Sequence, residues 1–209
     1  EAVKLYKKEI KIAASIPPVL GSYKPDVFNS EKAIPILEIF KNNLIQYCDL
    51  ILAETLSSID EIKTIQRVFG ECKIPFWISL TIEDEYYNIP KLRSGEEIVT
   101  ALRKIDFNKI SSVLFNCSQP EVMAKAIKVA KNLVPENTSL GVYANAFQPI
   151  KIGQRDANSQ IRNTRQELTP EKYFDFVKEW NELEVDIIGG CCGIGPEHIK
   201  KICELKKNR

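Results

Sequence analysis

The sequence predicts a parallel α/β protein, and three observations carry that prediction. Six short apolar runs recur along the 209 residues. Amphipathic stretches of helical period separate them. The runs themselves are apolar throughout, without the alternation of a half-solvated strand, which suits parallel strands covered on both faces. They are Pro18–Gly21, Leu50–Ala53, Phe76–Leu80, Ser112–Phe115, Leu140–Tyr143 and Asp186–Gly189.

The chain opens in a helical pattern, with Tyr6, Ile10 and Ala13 or Ala14 in register. Ser58-Ile-Asp-Glu61, Ser94-Gly-Glu-Glu97 and Ser118-Gln-Pro-Glu121 each match the Ser-x-x-Glu capping box, in which two side chains satisfy backbone donors reciprocally at a helix start. Ile59, Ile62, Ile65 and Phe69 form the apolar face after the first box, and Ile98, Leu102 and Ile105 the face after the second. Thr169-Pro170 opens a further helix with proline at its tolerated first position and Tyr173, Val177 and Trp180 on one stripe. Gly195-Pro196 opens the last, faced by Ile199, Ile202 and Leu205.

Both a doubly wound sheet and a (β/α) barrel fit this alternation. A dinucleotide-binding sheet announces itself by a G-x-G-x-x-G or P-loop after a strand, and neither occurs here. The runs recur about every 34 residues, so eight such units would need about 270, a typical barrel length. The expectation is therefore a (β/α)8 TIM barrel present as a partial barrel of about six βα units. It forms one N-terminally incomplete domain over residues 1–209, with about two units preceding Glu1. Met123 is the sole methionine, which points the same way. Asn145 to Leu168 lacks either period, and a loop of that length inside a compact domain is expected to be functional or disordered.

Lys and Arg number 29 against 28 Asp and Glu, a net charge of +1. That balance argues against nucleic-acid or anionic-membrane surfaces, which need clustered charge. Apolar residues at 44% and charged ones at 27% describe a globular domain. No stretch approaches the roughly 20 apolar residues of a membrane helix, and the first residues do not read as a signal peptide, so the expected location is cytoplasmic. Six cysteines are few for a disulfide scaffold of this length; Cys48, Cys72 and Cys203 read as buried small hydrophobes.

In a barrel the polar residues at the carboxyl ends of strands converge on one mouth. Here those are Ser22-Tyr23, Glu54-Thr55, Ser79 and Thr81, Asn116-Cys117, Asn145 and Cys191-Cys192. Gly189-Gly190 lets the adjacent thiols turn toward one point. Three thiolates with no fourth protein ligand match a catalytic Zn2+ site with an open position. Zinc stabilises thiolate over thiol, so a substrate thiol entering that position would lose its proton near neutral pH and stay nucleophilic. Glu54 would hold a substrate ammonium. The combination reads as alkyl transfer to a small amino-thiol.

On Ala53-Glu54-Thr55, Phe115-Asn116-Cys117, Tyr143-Ala-Asn145 and above all Gly189-Gly-Cys-Cys-Gly-Ile-Gly-Pro-Glu-His-Ile199, the chain resembles the zinc-dependent homocysteine S-methyltransferases from about Pro18 onward. The resemblance implies a methyl transfer from a small donor to the homocysteine thiolate, giving methionine. Family donors include S-methylmethionine, betaine and methylfolate. It further implies that Cys117, Cys191 and Cys192 ligate zinc and that Glu54 grips the homocysteine amino group. The family's opening Asp-Gly-Gly strand has no counterpart here, and Gly21-Ser-Tyr-Lys-Pro25 looks like a shortened form of the loop after its third strand.

Asn116 and Asn145 are candidate substrate contacts, with orientation of neighbouring groups as their other reading. Thr55 and Tyr143 read as packing or capping, Trp77, Phe76 and Phe115 as core or barrel filling, and His198 as no ligand, since it follows the thiols in a helical turn. The lysine pairs 200–201 and 206–207 read as solvated. Two rivals stand beside the methyltransferase: a thiol redox or sensing module built on Cys191-Cys192, and a catalytically silent fragment. An open barrel would associate with itself through exposed strand edges.

Overall fold

The computed structural model describes residues 10–149 and 163–207. The six strands are β1 (Ala13–Ile16), β2 (Leu50–Leu56), β3 (Phe76–Leu80), β4 (Ser112–Asn116), β5 (Ser139–Tyr143) and β6 (Ile187–Ile188). They form one wholly parallel sheet whose spatial order is the chain order. A doubly wound sheet reverses strand order at a switch point, and this one never does. The sheet is an arc of a (β/α) barrel, as its spacing suggested.

Among the described residues five α-helices fill the crossovers, α1 (Ser30–Leu44), α2 (Ile59–Phe69), α3 (Ile98–Leu102), α4 (Pro120–Lys131) and α5 (Pro170–Glu182), and α6 (Pro196–Ile202) follows β6. They cover the convex face, where the register aligns Ile16, Ala53, Ile78, Val113 and Leu140 in one row. Four of those five are completely buried, and Leu140 nearly so. Tyr173, Val177 and Trp180 of α5 are also fully buried, each side chain contributing about 1.5–3 kcal/mol. The opposite, concave face carries Ser15, Leu52, Glu54, Trp77 and Tyr143, all half-buried or exposed.

The first strand lies upstream of the apolar run at Pro18–Gly21. Pro17-Pro18 supplies no ladder N–H, whereas Ala13–Ile16 buries Ala14 and Ile16 and turns Ala13 and Ser15 to the concave side. The opening helical register therefore gives way to strand by Ala13, and Tyr6 lies outside the described residues. The helix α1 carries no Ser-x-x-Glu box; its cap is Asn29, accepting from the Lys32 N–H at 2.9 Å.

Of the three boxes, the first caps its helix: Ser58 accepts from the Glu61 N–H at 3.2 Å. The returning carboxylate of Glu61 takes the N–H of Ser57 instead, at 2.6 Å. At the second, α3 starts only after Glu97, and the Ser94 hydroxyl donates to Glu96 at 2.6 Å. At the third, Gln119 takes the cap position, and Ser118 is drawn to the backbone of Ile82. Thr169 caps α5 as read, accepting from Lys172.

Candidate metal centre

The β2–β3 register slips between Ala53 and Leu56, so Glu54 and Thr55 together oppose Ser79. Bulges of this kind re-aim side chains at barrel rims. Thr55 takes φ +60°, a rare conformation for a β-branched residue. Asn116 holds it there. Its Oδ1 accepts from the Thr55 N–H at 3.1 Å and the Ser79 hydroxyl at 2.8 Å, and its Nδ2 donates to Thr55 Oγ1 at 2.9 Å. Asn116 is completely buried.

Glu54 projects onto the concave face. Ser15 donates to its Oε1 at 2.5 Å, and Tyr143 donates to its Oε2 at 3.0 Å. Burial, then the Glu54 charge, push the Tyr143 hydroxyl well above its ordinary range, so it stays a donor. Tyr143 thus serves the carboxylate, beyond the packing role its sequence position suggested. Ser15 reaches the carboxylate because β1 lies upstream of the Pro18–Gly21 run, at Ala13–Ile16.

Cys117 follows β4 directly and adopts φ +53°. For a residue with a Cβ that costs about 1–2 kcal/mol. The turn after β6 brings the other two thiols to it. Cys191 N–H donates to the Ala144 carbonyl at 2.9 Å, and the Cys192 carbonyl accepts from Ala146 at 2.8 Å. Tyr173 fastens the approach, donating to the Gly189 carbonyl at 2.8 Å. A Cβ on Gly190 would fall 2.1 Å from Ile194 Cγ2, and Gly193 holds φ +79°. The glycines therefore permit a tight fold-back over the thiols.

The three sulfurs lie within 4.8 Å of one another, the one such metal-competent group among the described residues. Cys192 Sγ is 3.9 Å from both Cys117 and Cys191 Sγ, while Cys117 and Cys191 are 2.7 Å apart. Zn–S bonds of about 2.3 Å give a tetrahedral edge of about 3.8 Å. Two of the three edges fit, and the third would widen around an ion. Hydrogen bonding to Cys117 and Cys192, together with burial, pushes the Cys191 thiol far up. Three sulfurs this close resist carrying charge together, and a divalent cation reverses that penalty. The donor set fits zinc. The vicinal pair of the redox reading is not the closest pair here; Cys117–Cys191 is.

Asn145 is buried, its Oδ1 accepting from Gln119 Nε2 at 3.1 Å, and Gln119 also donates to the Phe147 carbonyl at 2.7 Å. His198 stays clear of the thiols: its Nδ1 accepts from the Gly195 N–H at 3.3 Å, and Nε2 meets the Leu168 carbonyl at 3.0 Å. Cys48 and Cys72 pack half-buried against the core, but Cys203, expected inside, is exposed just past α6. Tyr23 lies in the loop after β1 and packs with Cys117 and Cys191. Residues 150–162 of the long loop and the side chains of Lys206 and Lys207 lie outside the described residues.

A sequence model described as homocysteine S-methyltransferase matches residues 1–205. The chain is 28% identical over 196 residues to homocysteine S-methyltransferase 1 of Brassica oleracea var. italica, covering 90% of this chain and 56% of that protein. It is 28% identical over 171 residues to the betaine-homocysteine S-methyltransferase of Drosophila melanogaster, covering 74% and 46%. It superposes on the metallated crystal form of the Escherichia coli homocysteine methyltransferase MmuM with TM-score 0.70 and 19% identity, over 100% of this chain and 64% of that one. That last likeness bears on the fold alone. The chain spans roughly half to two thirds of the length of these proteins, and with a family match over nearly its whole length it belongs to the homocysteine S-methyltransferase family.

Proposed function

We propose that the protein transfers a methyl group from a small donor to the sulfur of homocysteine, giving methionine, at a zinc site formed by Cys117, Cys191 and Cys192. The observation that carries this is the convergence of three thiols from two distant strand ends within 4.8 Å. Zinc, when bound, supplies a Lewis acid that holds a sulfur ligand as thiolate near neutral pH. In the overall exchange the homocysteine sulfur gains the methyl carbon, the donor heteroatom keeps the bonding pair, and the thiol proton goes to solvent.

The chain's own residues bind and orient. Glu54 accepts the homocysteine ammonium, its carboxylate fixed from both sides by Ser15 and Tyr143. Asn116 acts behind it, holding the bulge that aims Glu54, because its amide is already engaged by Thr55 and Ser79. Asn145 with Gln119 steadies the start of the long loop, where donor contacts would fall. Fixing both reactants in line accounts for much of the barrier reduction such a site can offer. The donor is a sulfonium, an ammonium or a methylated pterin, and a relative named for betaine accords with the ammonium.

Metal analysis of the purified chain tests the first step: stoichiometric zinc, lost in Cys117→Ser, is expected, and no bound metal refutes it. Homocysteine supplied with S-methylmethionine, S-adenosylmethionine, betaine or methylfolate tests the second. Zinc binding without methionine formation from any donor would refute the activity while leaving the metal site standing. The proposal includes a cytoplasmic location; no helix among the described residues is long and apolar enough to cross a membrane.

A further inference from the structure

Arg93 is completely buried, an expensive place for a guanidinium. It stands on the return limb of an excursion after β3, in which Ile82 bridges to Leu92. Its Nη2 donates to Asp84 Oδ1 at 2.9 Å and to the Cys117 carbonyl at 3.4 Å, and its Nε donates to Thr81 Oγ1 at 3.4 Å. Thr81 Oγ1 also donates to the Cys117 carbonyl at 3.4 Å. Asp84 Oδ1 accepts the Gln119 N–H at 2.9 Å, and the Ser118 hydroxyl bonds the N–H and carbonyl of Ile82 at 2.9 and 2.8 Å. Residues 117, 118 and 119 are therefore each gripped by this one excursion.

Cys117 needs that grip, because its left-handed backbone persists only where the surroundings over-determine it. The guanidinium also lies over the Tyr23 ring, 5.3 Å from its centroid, and Tyr23 packs on Cys117. Asp84 and Glu83, the latter 3.6 Å from Nη1, offset the positive charge. What Arg93 offers the sulfur is thus geometry more than field.

We propose that Arg93 is a positioning residue for the metal centre, locking Cys117 in its left-handed turn so that its sulfur meets those of Cys191 and Cys192. The inference rests on the zinc reading above. Its test is a cobalt(II) titration of the zinc-free full chain, following the sulfur-to-cobalt and d–d absorption bands, with zinc affinity measured by chelator competition. Arg93→Met is expected to weaken metal binding at least about 10-fold and to change the d–d envelope. Arg93→Lys is expected to regain the unfolding midpoint more fully than the affinity, since an ammonium lacks the planar fork whose Nε reaches Thr81 while Nη2 reaches Asp84 and the Cys117 carbonyl. Ile65→Val, in the core of α2, provides a matched loss of stability without contact to the turn.

Parental affinity and spectrum in Arg93→Met, or a loss no larger than in Ile65→Val, would overturn the proposal. Should Arg93→Met fail to fold, Thr81→Val removes one carbonyl donor and the Nε acceptor at constant shape, and an unchanged spectrum there overturns it equally. A parent chain that binds no cobalt defeats the zinc reading and this inference together. Parental binding with unaffected variants defeats this inference alone.

Discussion

Replacing Asn116 with alanine separates a ligand contact from a structural brace. Three hydrogen bonds disappear, to the Thr55 N–H, the Thr55 hydroxyl and the Ser79 hydroxyl, each worth about 1 kcal/mol net. The Thr55 N–H is then left buried without a partner, adding about 1–3 kcal/mol. Release of Thr55 from its left-handed conformation returns about 1 kcal/mol, so the net loss is about 3–5 kcal/mol. For a chain of this size that lowers the thermal midpoint by on the order of 10 °C. Urea unfolding followed by the fluorescence of Trp77 and Trp180 measures it directly, with homocysteine titration calorimetry alongside. Unchanged stability, within about 0.5 kcal/mol, together with lost homocysteine binding would show that Asn116 meets the ligand and that its role as a brace is wrong.

Other perturbations have equally definite outcomes. Tyr143→Phe removes one of the two donors that fix Glu54 and should weaken homocysteine binding about 2- to 10-fold, read by calorimetry, with stability little changed. Gly193→Ala places a Cβ at φ +79° and 3.0 Å from that of Ala146, so it should cost about 1–2 kcal/mol in urea unfolding and reduce zinc affinity. Burial, opposed by the Ser57 hydrogen bond and aided by the Glu96 charge, pushes the Glu61 carboxyl up to about 7. Its folded value exceeds its unfolded one, so its contribution is complete below about pH 4.5 and is lost as pH rises through about 7, by up to about 3 kcal/mol. Unfolding of Glu61→Gln across that range should show a correspondingly flatter profile, and a profile parallel to the parent's would count against the assignment.

The strands from β2 to β6 were legible because each is a dense apolar run bounded by helical stretches. The first was not, since Ala13–Ile16 is short and half-solvated, and its alternation was outweighed by the richer run around Pro18. Capping boxes misled at Ser94, whose hydroxyl donates to the Glu96 carboxylate, and at Ser118, whose hydroxyl bonds the loop backbone at Ile82 instead of a helix start. The thiols were legible from type and position at strand ends. Arg93, Ser15 and the service of Tyr143 to Glu54 were not, because each depends on which loop or strand folds back over which, and no residue spacing records that.

Glu54 is bonded by a serine on the adjoining strand β1 and by a tyrosine on β5, three ladder steps from its own strand β2. In a flat sheet those three steps would separate β2 from β5 by about 14 Å, beyond what two side chains bridge comfortably. One carboxylate therefore works as a tie rod strung across the arc, and it tightens the curl that brings the far rim round toward β4. On the proposed function, a ligand ammonium would take the lone pairs that Ser15 and Tyr143 leave open on those oxygens, so gripping the amino group would load the same rod that curves the sheet.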